Sequence, residues 1–246
     1  MQTLKEHLEK VKNKERSFEN AFQSVTRMIL EEEFEKVTVN GKTTYDFKIF
    51  RKGKKPIIGM YDEINSFVSY VKDASEGGSS KEMAFVLVGE PGNGKTFFVD
   101  FLCNKYREFL SSERNAKYTF RFNNLDKFDT YGRINTIESQ TYEDPMVLAM
   151  NLFEGNGRSA EYLSSSFGFS DGEIEQLYQN YRPLGACSGY IWHSIRTHAD
   201  GDIDTMMDFV DVVPVPLVES MGTITGKYPA KDKITSSAVA LLGEES

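Results

Sequence analysis

The chain has 246 residues, of which 39% are apolar, 27% charged and 13% aromatic; this is enough for one large domain, or a medium one with an appendage, and excludes a disordered or collagen-like chain. A net charge of −8 offers nucleic-acid phosphates no general basic face, and two cysteines, Cys103 and Cys187, cannot build a disulfide framework. The longest apolar runs, Met83–Val88 and Val212–Val218, fall far short of the roughly 18 residues of a membrane helix, and the charged opening MQTLKEHLEKVKNKER lacks a signal core, so a cytoplasmic protein without membrane or nucleic-acid partners is expected.

Ser17 reads as a helix N-cap, because Phe18, Ala21, Phe22, Val25, Met28 and Ile29 keep helical spacing after it. Val37 and Val39 precede Asn40-Gly41, and Tyr45, Phe47 and Ile49 alternate after it. That pattern predicts a hairpin, since both turn residues must accept positive φ. The basic run Arg51-Lys52-Gly53-Lys54-Lys55 reads first as a solvated loop and second as a phosphate contact. Pro56 closes this region, which divides the chain into a helical and hairpin extension (1–55) and a main domain (56–246).

A helix is expected from Asp62 to about Lys72, burying Ile64, Phe67, Val68 and Val71. Residues 84–88 (AFVLV) form a short, wholly apolar run suited to a buried parallel strand. They lead into Gly89-Glu90-Pro91-Gly92-Asn93-Gly94-Lys95-Thr96, after which a helix carries Phe97, Phe98, Phe101, Leu102 and Phe109 on its core face. Residues 118–122 (YTFRF) suit a second strand. Further helices are expected near 145–153, over 171–181 and after an Asp202 cap. Trp192 with Tyr190 and Ile191, and the Met206–Val210 stripe, read as core. Gly155–Ser159 reads as a turn.

The segment 89–96 fits G-x-x-x-x-G-K-[ST] at every fixed position. Its glycines let the backbone curl so that amides converge on phosphate oxygens, and the following helix points its positive end at the same place. Lys95 would reach the β- and γ-phosphates, and the Thr96 hydroxyl would coordinate Mg²⁺. Nucleotide contacts are therefore expected along Gly89, Glu90, Pro91, Gly92, Asn93, Gly94, Lys95, Thr96 and Phe97. Hydrolysis also needs an acid at the end of another apolar strand. Phe209-Val210-Asp211, on a helical pattern, and Phe169-Ser170-Asp171, without a strand, are the nearest approaches, and neither fits.

GEPGNGKT with the lead-in Ile57-Ile58-Gly59-Met60-Tyr61-Asp62-Glu63-Ile64 looks like an AAA-type ATPase module. RPLGACSGYIW (182–192) followed by His198-Ala199-Asp200-Gly201-Asp202 resembles the N-terminal ATPase region of the PrkA family of bacterial serine protein kinases. The resemblance runs from about residue 56 to the end. It implies an α/β P-loop NTPase fold, an AAA-like αβα sandwich, binding ATP with Mg²⁺, acting on a protein substrate and assembling as a homo-oligomer in the full-length protein. It places Ile57, Ile58 and Gly59 near the adenine, and puts the acidic pair beyond Ser246. No H-R-D-x-x-x-x-N or D-F-G signature accompanies it. An ATP-driven remodelling or protease-associated role, or a nucleotide-responsive scaffold without turnover, therefore stands beside kinase activity.

Two smaller features read as structural. Asp200-Gly-Asp202-Ile-Asp204 departs from a calcium loop at its sixth and twelfth positions, and suits a helix cap. Cys187, His193 and His198 lack metal-ligand spacing, and nothing pairs Cys187 with a base, so a packed cysteine and two ordinary histidines are expected.

Overall fold

The computed structural model describes residues 2–128, 131–153 and 157–218. Residues Met1–Val215 form one compact unit, and Pro216–Ser246 a second, described only over 216–218. No helix among the described residues is long and apolar enough to cross a membrane.

A two-residue strand β1 (Gln2–Thr3) enters helix α1 (Leu4–Lys12) through a capping box: Thr3 Oγ1 accepts from the Glu6 amide while Glu6 accepts from the Thr3 amide. Helix α2 (Ala21–Leu30) starts later than Ser17 predicts, with Asn20 as its cap. The reason is local. Gln23 stands three residues after Asn20 and returns a hydrogen bond to its amide (3.1 Å), whereas the residue three after Ser17 is Asn20, which lacks that reach.

The hairpin forms as expected, from β2 (Phe34–Val39) and β3 (Lys42–Phe47), with Asn40 at φ 52° and Gly41 at φ 76°. A 3-10 turn (Lys48–Arg51) and a loop lead to α3 (Tyr61–Ser75), and α4 (Lys95–Phe109) follows the glycine-rich segment. Then come β4 (Tyr118–Phe122), β5 (Ile137–Glu138), α5 (Pro145–Met150), α6 (Arg158–Phe167), α7 (Asp171–Gln179), α8 (Ala186–His198), α9 (Ile203–Met207) and β6 (Val210–Pro214).

The second sheet has the order β1-β6-β4-β5, and every ladder among the described residues is antiparallel. In register, Phe120 faces Val212 and Phe122 faces Val210, which puts these side chains on one face with the main core. Leu4 and Leu8 of α1, Met146 and Leu148 of α5, Trp192 and Ile195 of α8 and Met206 of α9 complete it. The Trp192 indole, 1% exposed, donates to the Asn151 carbonyl at 2.9 Å, so its polar atom is satisfied inside.

A further aromatic group lies under α4. Phe50 stacks on Phe98 and Phe101, and Phe67 meets Phe98 and Phe85 edge-on, with centroids 5.4 to 6.1 Å apart. Helix α4 is seated by this cluster.

The α/β class is as expected, but several expectations need correction. Residues 84–88 are not a strand: they run irregularly, with Val86 70% and Val88 90% exposed. A strand needs a ladder partner, and no residue of 84–88 pairs in either sheet. Phe209–Asp211 is not a helical stripe, since Val210 opens β6 on the strength of five facing pairs with β4. Tyr190 is exposed, in contrast to Ile191 and Trp192. Cys187 is exposed rather than packed. Asp202 does cap α9, accepting from the Thr205 amide, and Gly157 at φ 95° precedes α6; residues 155 and 156 of the expected turn lie outside the described residues.

Candidate functional site

The glycine-rich segment lies at the N-terminus of α4, a 15-residue helix. Gly92 (φ 90°) and Gly94 (φ 75°) are left-handed, a conformation that favours glycine, and between them the Asn93 amide closes a turn onto the Glu90 carbonyl at 3.3 Å. Gly94 is the cap of α4 and has no side chain to offer its first turn. The Phe98 amide bonds Gly94 O at 2.8 Å, which leaves the Lys95, Thr96 and Phe97 amides without helical partners. These amides and the helix dipole make the loop electropositive.

Lys95 curls back over the loop. Its ammonium donates to the carbonyls of Gly89 (2.6 Å) and Glu90 (2.7 Å). Around the loop, Thr96 is exposed in the first turn, Phe97 is partly exposed against Phe101, and Glu90 and Pro91 are exposed. This donor set fits a polyphosphate: main-chain amides, one cation and an exposed hydroxyl, with no carboxylate among the described residues bonded to the lysine. For Mg²⁺ it offers the Thr96 hydroxyl.

The three residues expected near a base have different fates. Ile57 is buried, and its amide bonds Phe50 O at 2.9 Å. Ile58 is 88% exposed, and Gly59 is left-handed at φ 71°. Met60 follows at φ 52° and packs on the loop, since a methyl group placed on Gly94 would stand 3.8 Å from its sulfur.

Sequence reading missed what holds this stretch. Arg51 Nη1 donates to the carbonyls of Ile57 (2.7 Å) and Gly59 (2.9 Å), while Nε donates to Asp46 Oδ1 (2.7 Å) and the guanidinium lies 4.5 Å from the Tyr61 ring centroid. Desolvation acts to raise the Asp46 carboxyl, but hydrogen bonds from Arg51 and Lys48 prevail and hold it below the usual range. The signal was present in the sequence only as the first member of a basic run; Lys54 and Lys55, its neighbours in that run, are exposed.

Neither acidic candidate lies free beside the loop. Asp211 accepts from Arg121 Nε at 3.1 Å across β4 and β6, and Asp171 is the first residue of α7. The stretch 182–192 is stapled from outside: Glu143 accepts from the Gly185 amide at 2.7 Å and from the Ser188 hydroxyl. A hollow of about 500 Å³ between the 14–19 loop and α7, and one of about 400 Å³ between the hairpin and α3, are lined by no residue from Gly89 to Thr96. Asp62 and Glu63 on the rim of the second repel phosphate.

Comparison with protein-family models, with curated proteins and with solved structures finds no match to this chain.

Proposed function

We propose that the chain binds a nucleoside triphosphate, ATP with Mg²⁺, at Gly89–Thr96, as the P-loop, AAA-like module of a PrkA-type protein that acts on a protein substrate. The observation that carries this reading is the Lys95 ammonium folded onto the Gly89 and Glu90 carbonyls above an uncapped helix end. A cation held there is already in place for β- and γ-phosphate oxygens, and needs only to exchange carbonyls for anions. The Lys95, Thr96 and Phe97 amides would bind the same phosphates, and Gly92 and Gly94 keep the backbone within reach of them. Thr96 would supply one ligand to Mg²⁺, whose chemistry is to neutralise charge on the phosphates.

Titration of a fluorescent ATP analogue, with and without magnesium, tests the proposal. The wild-type chain is expected to bind, more tightly with magnesium, and Lys95→Ala to bind at least tenfold more weakly, the loss of one charge-assisted contact. Equal binding by both proteins contradicts it. In the intact protein, labelled phosphoserine on a substrate marks a kinase, whereas ATP hydrolysis with unfolding or degradation of the substrate marks a remodeller.

A further inference from the structure

We infer that Arg51 is a positioning residue for the nucleotide site, fixing the segment Ile57–Met60 against the phosphate loop; this rests on the nucleotide reading above. The geometry is a short chain of contacts. One guanidinium nitrogen grips two carbonyls, those of Ile57 and Gly59, on either side of Ile58. Another is anchored on the Asp46 carboxylate of the hairpin. The neck of the loop is closed by the Ile57 amide on the Phe50 carbonyl, so the grip is applied to a strapped segment rather than a free one. Next to the gripped Gly59, Met60 turns left-handed and places its sulfur 3.8 Å from where a Cβ on Gly94, the cap of α4, would stand.

Arginine suits this task because its planar fork presents separate N–H groups to the carboxylate and to the carbonyls, while a lysine ammonium cannot meet all three acceptors in that spread. The segment displays Ile58 outward, 88% exposed, although burying such a side chain is favourable. A large exposed aliphatic group held two residues before Met60, which stands beside the loop, is a ready surface for the flat, apolar face of a base. The Arg51 Nη1 and Nε groups are spent on two carbonyls and a carboxylate, so the residue would act on a nucleotide through the segment it holds. It sets where Ile58 and Met60 stand relative to Gly94.

The test separates base from phosphate. Affinities for ATP and for inorganic triphosphate, which has no base, are measured for wild type, Arg51→Ala, Arg51→Lys, Asp46→Asn and Lys95→Ala. Arg51→Ala is expected to lose about tenfold in affinity for ATP, as the two hydrogen bonds that hold the segment's carbonyls are removed together with their anchor on Asp46, and less than twofold for triphosphate. Arg51→Lys and Asp46→Asn should fall between, and Lys95→Ala should lose both ligands. Equal loss of both ligands in the Arg51 variants makes the residue merely structural and overturns the inference, as does no loss of either. If Arg51→Ala does not fold by circular dichroism, the lysine and Asp46 variants carry the same comparison. A wild-type chain that binds neither ligand removes the nucleotide reading itself, and this inference with it, whereas triphosphate binding that responds to Lys95 alone leaves that reading standing and removes only the role of Arg51.

Discussion

His7 is a buried imidazole with a cation as its neighbour. Its Nδ1 lies 2.8 Å from Arg16 Nη1, and since a guanidinium can only donate, Nδ1 accepts and the ring proton sits on Nε2, which has no partner. Arg16 in turn lies 3.7 Å from the centroid of Tyr118 and bonds Gln2. Burial first, then the charges of Arg16 and Lys10, push the imidazole down to about 3. The unfolded chain takes up this proton near pH 6.5 (roughly the free value), while the folded chain refuses it until about 3. Stability therefore falls as pH drops through that window, because the unfolded state binds the extra proton there. His7→Gln keeps an acceptor for Arg16 and does not titrate. Its urea midpoint should decline less than that of wild type between pH 7 and 4, and parallel curves for the two proteins would rule out His7 as the source.

The β2–β3 hairpin offers a backbone test free of packing. Gly41 has φ 76° and nothing within 4 Å of where a Cβ would stand, so Gly41→Ala costs only the left-handed conformation, about 1 kcal/mol. A thermal melt should show that loss, and an unchanged melting temperature would mean the turn had reshaped. This element was legible from sequence because Asn-Gly and the alternation around it are local instructions, as were the periodicities of α3 and β4; on α4 the expected core face holds for Phe98 and Phe101 but not for Phe97, which is exposed. The turns of the 89–96 segment were legible for the same reason, since Gly92 and Gly94 act on their own backbone and Lys95 bonds carbonyls five and six residues before it. Residues 84–88 and β6 were not, because an apolar run says nothing of its ladder partner. AFVLV and FVDVV look equally strand-like or buried, yet only Val210–Pro214 finds β4. Arg51 was hidden likewise. Its acceptors are an acid five residues back and carbonyls six and eight residues on, a pattern that exists only once the loop has closed.

Across the first unit, apolar packing falls into a core around the sheet and an aromatic cluster under α4. The chain's sole tryptophan, Trp192, reports only the former. Phe98 belongs to the latter, touching Phe50 and Phe67, and truncating such a ring costs about 3–5 kcal/mol. Phe98→Ala should speed hydrogen exchange throughout α3 and α4 more than it lowers the urea midpoint read by Trp192 emission; equal effects would show that the two clusters melt as one body.

The folded-back Lys95 has a consequence for selectivity by valence. On the proposed reading, an incoming anion would meet an ammonium already satisfied by two peptide dipoles, and would gain only the difference between its own attraction and theirs. Chloride or acetate, each with one charge and full hydration, has little to offer in that exchange. If the segment binds phosphates as proposed, a multiply charged anion that several amides and the ammonium meet together would gain more in that exchange, and the folded-back lysine would then favour polyanions over small monovalent ions.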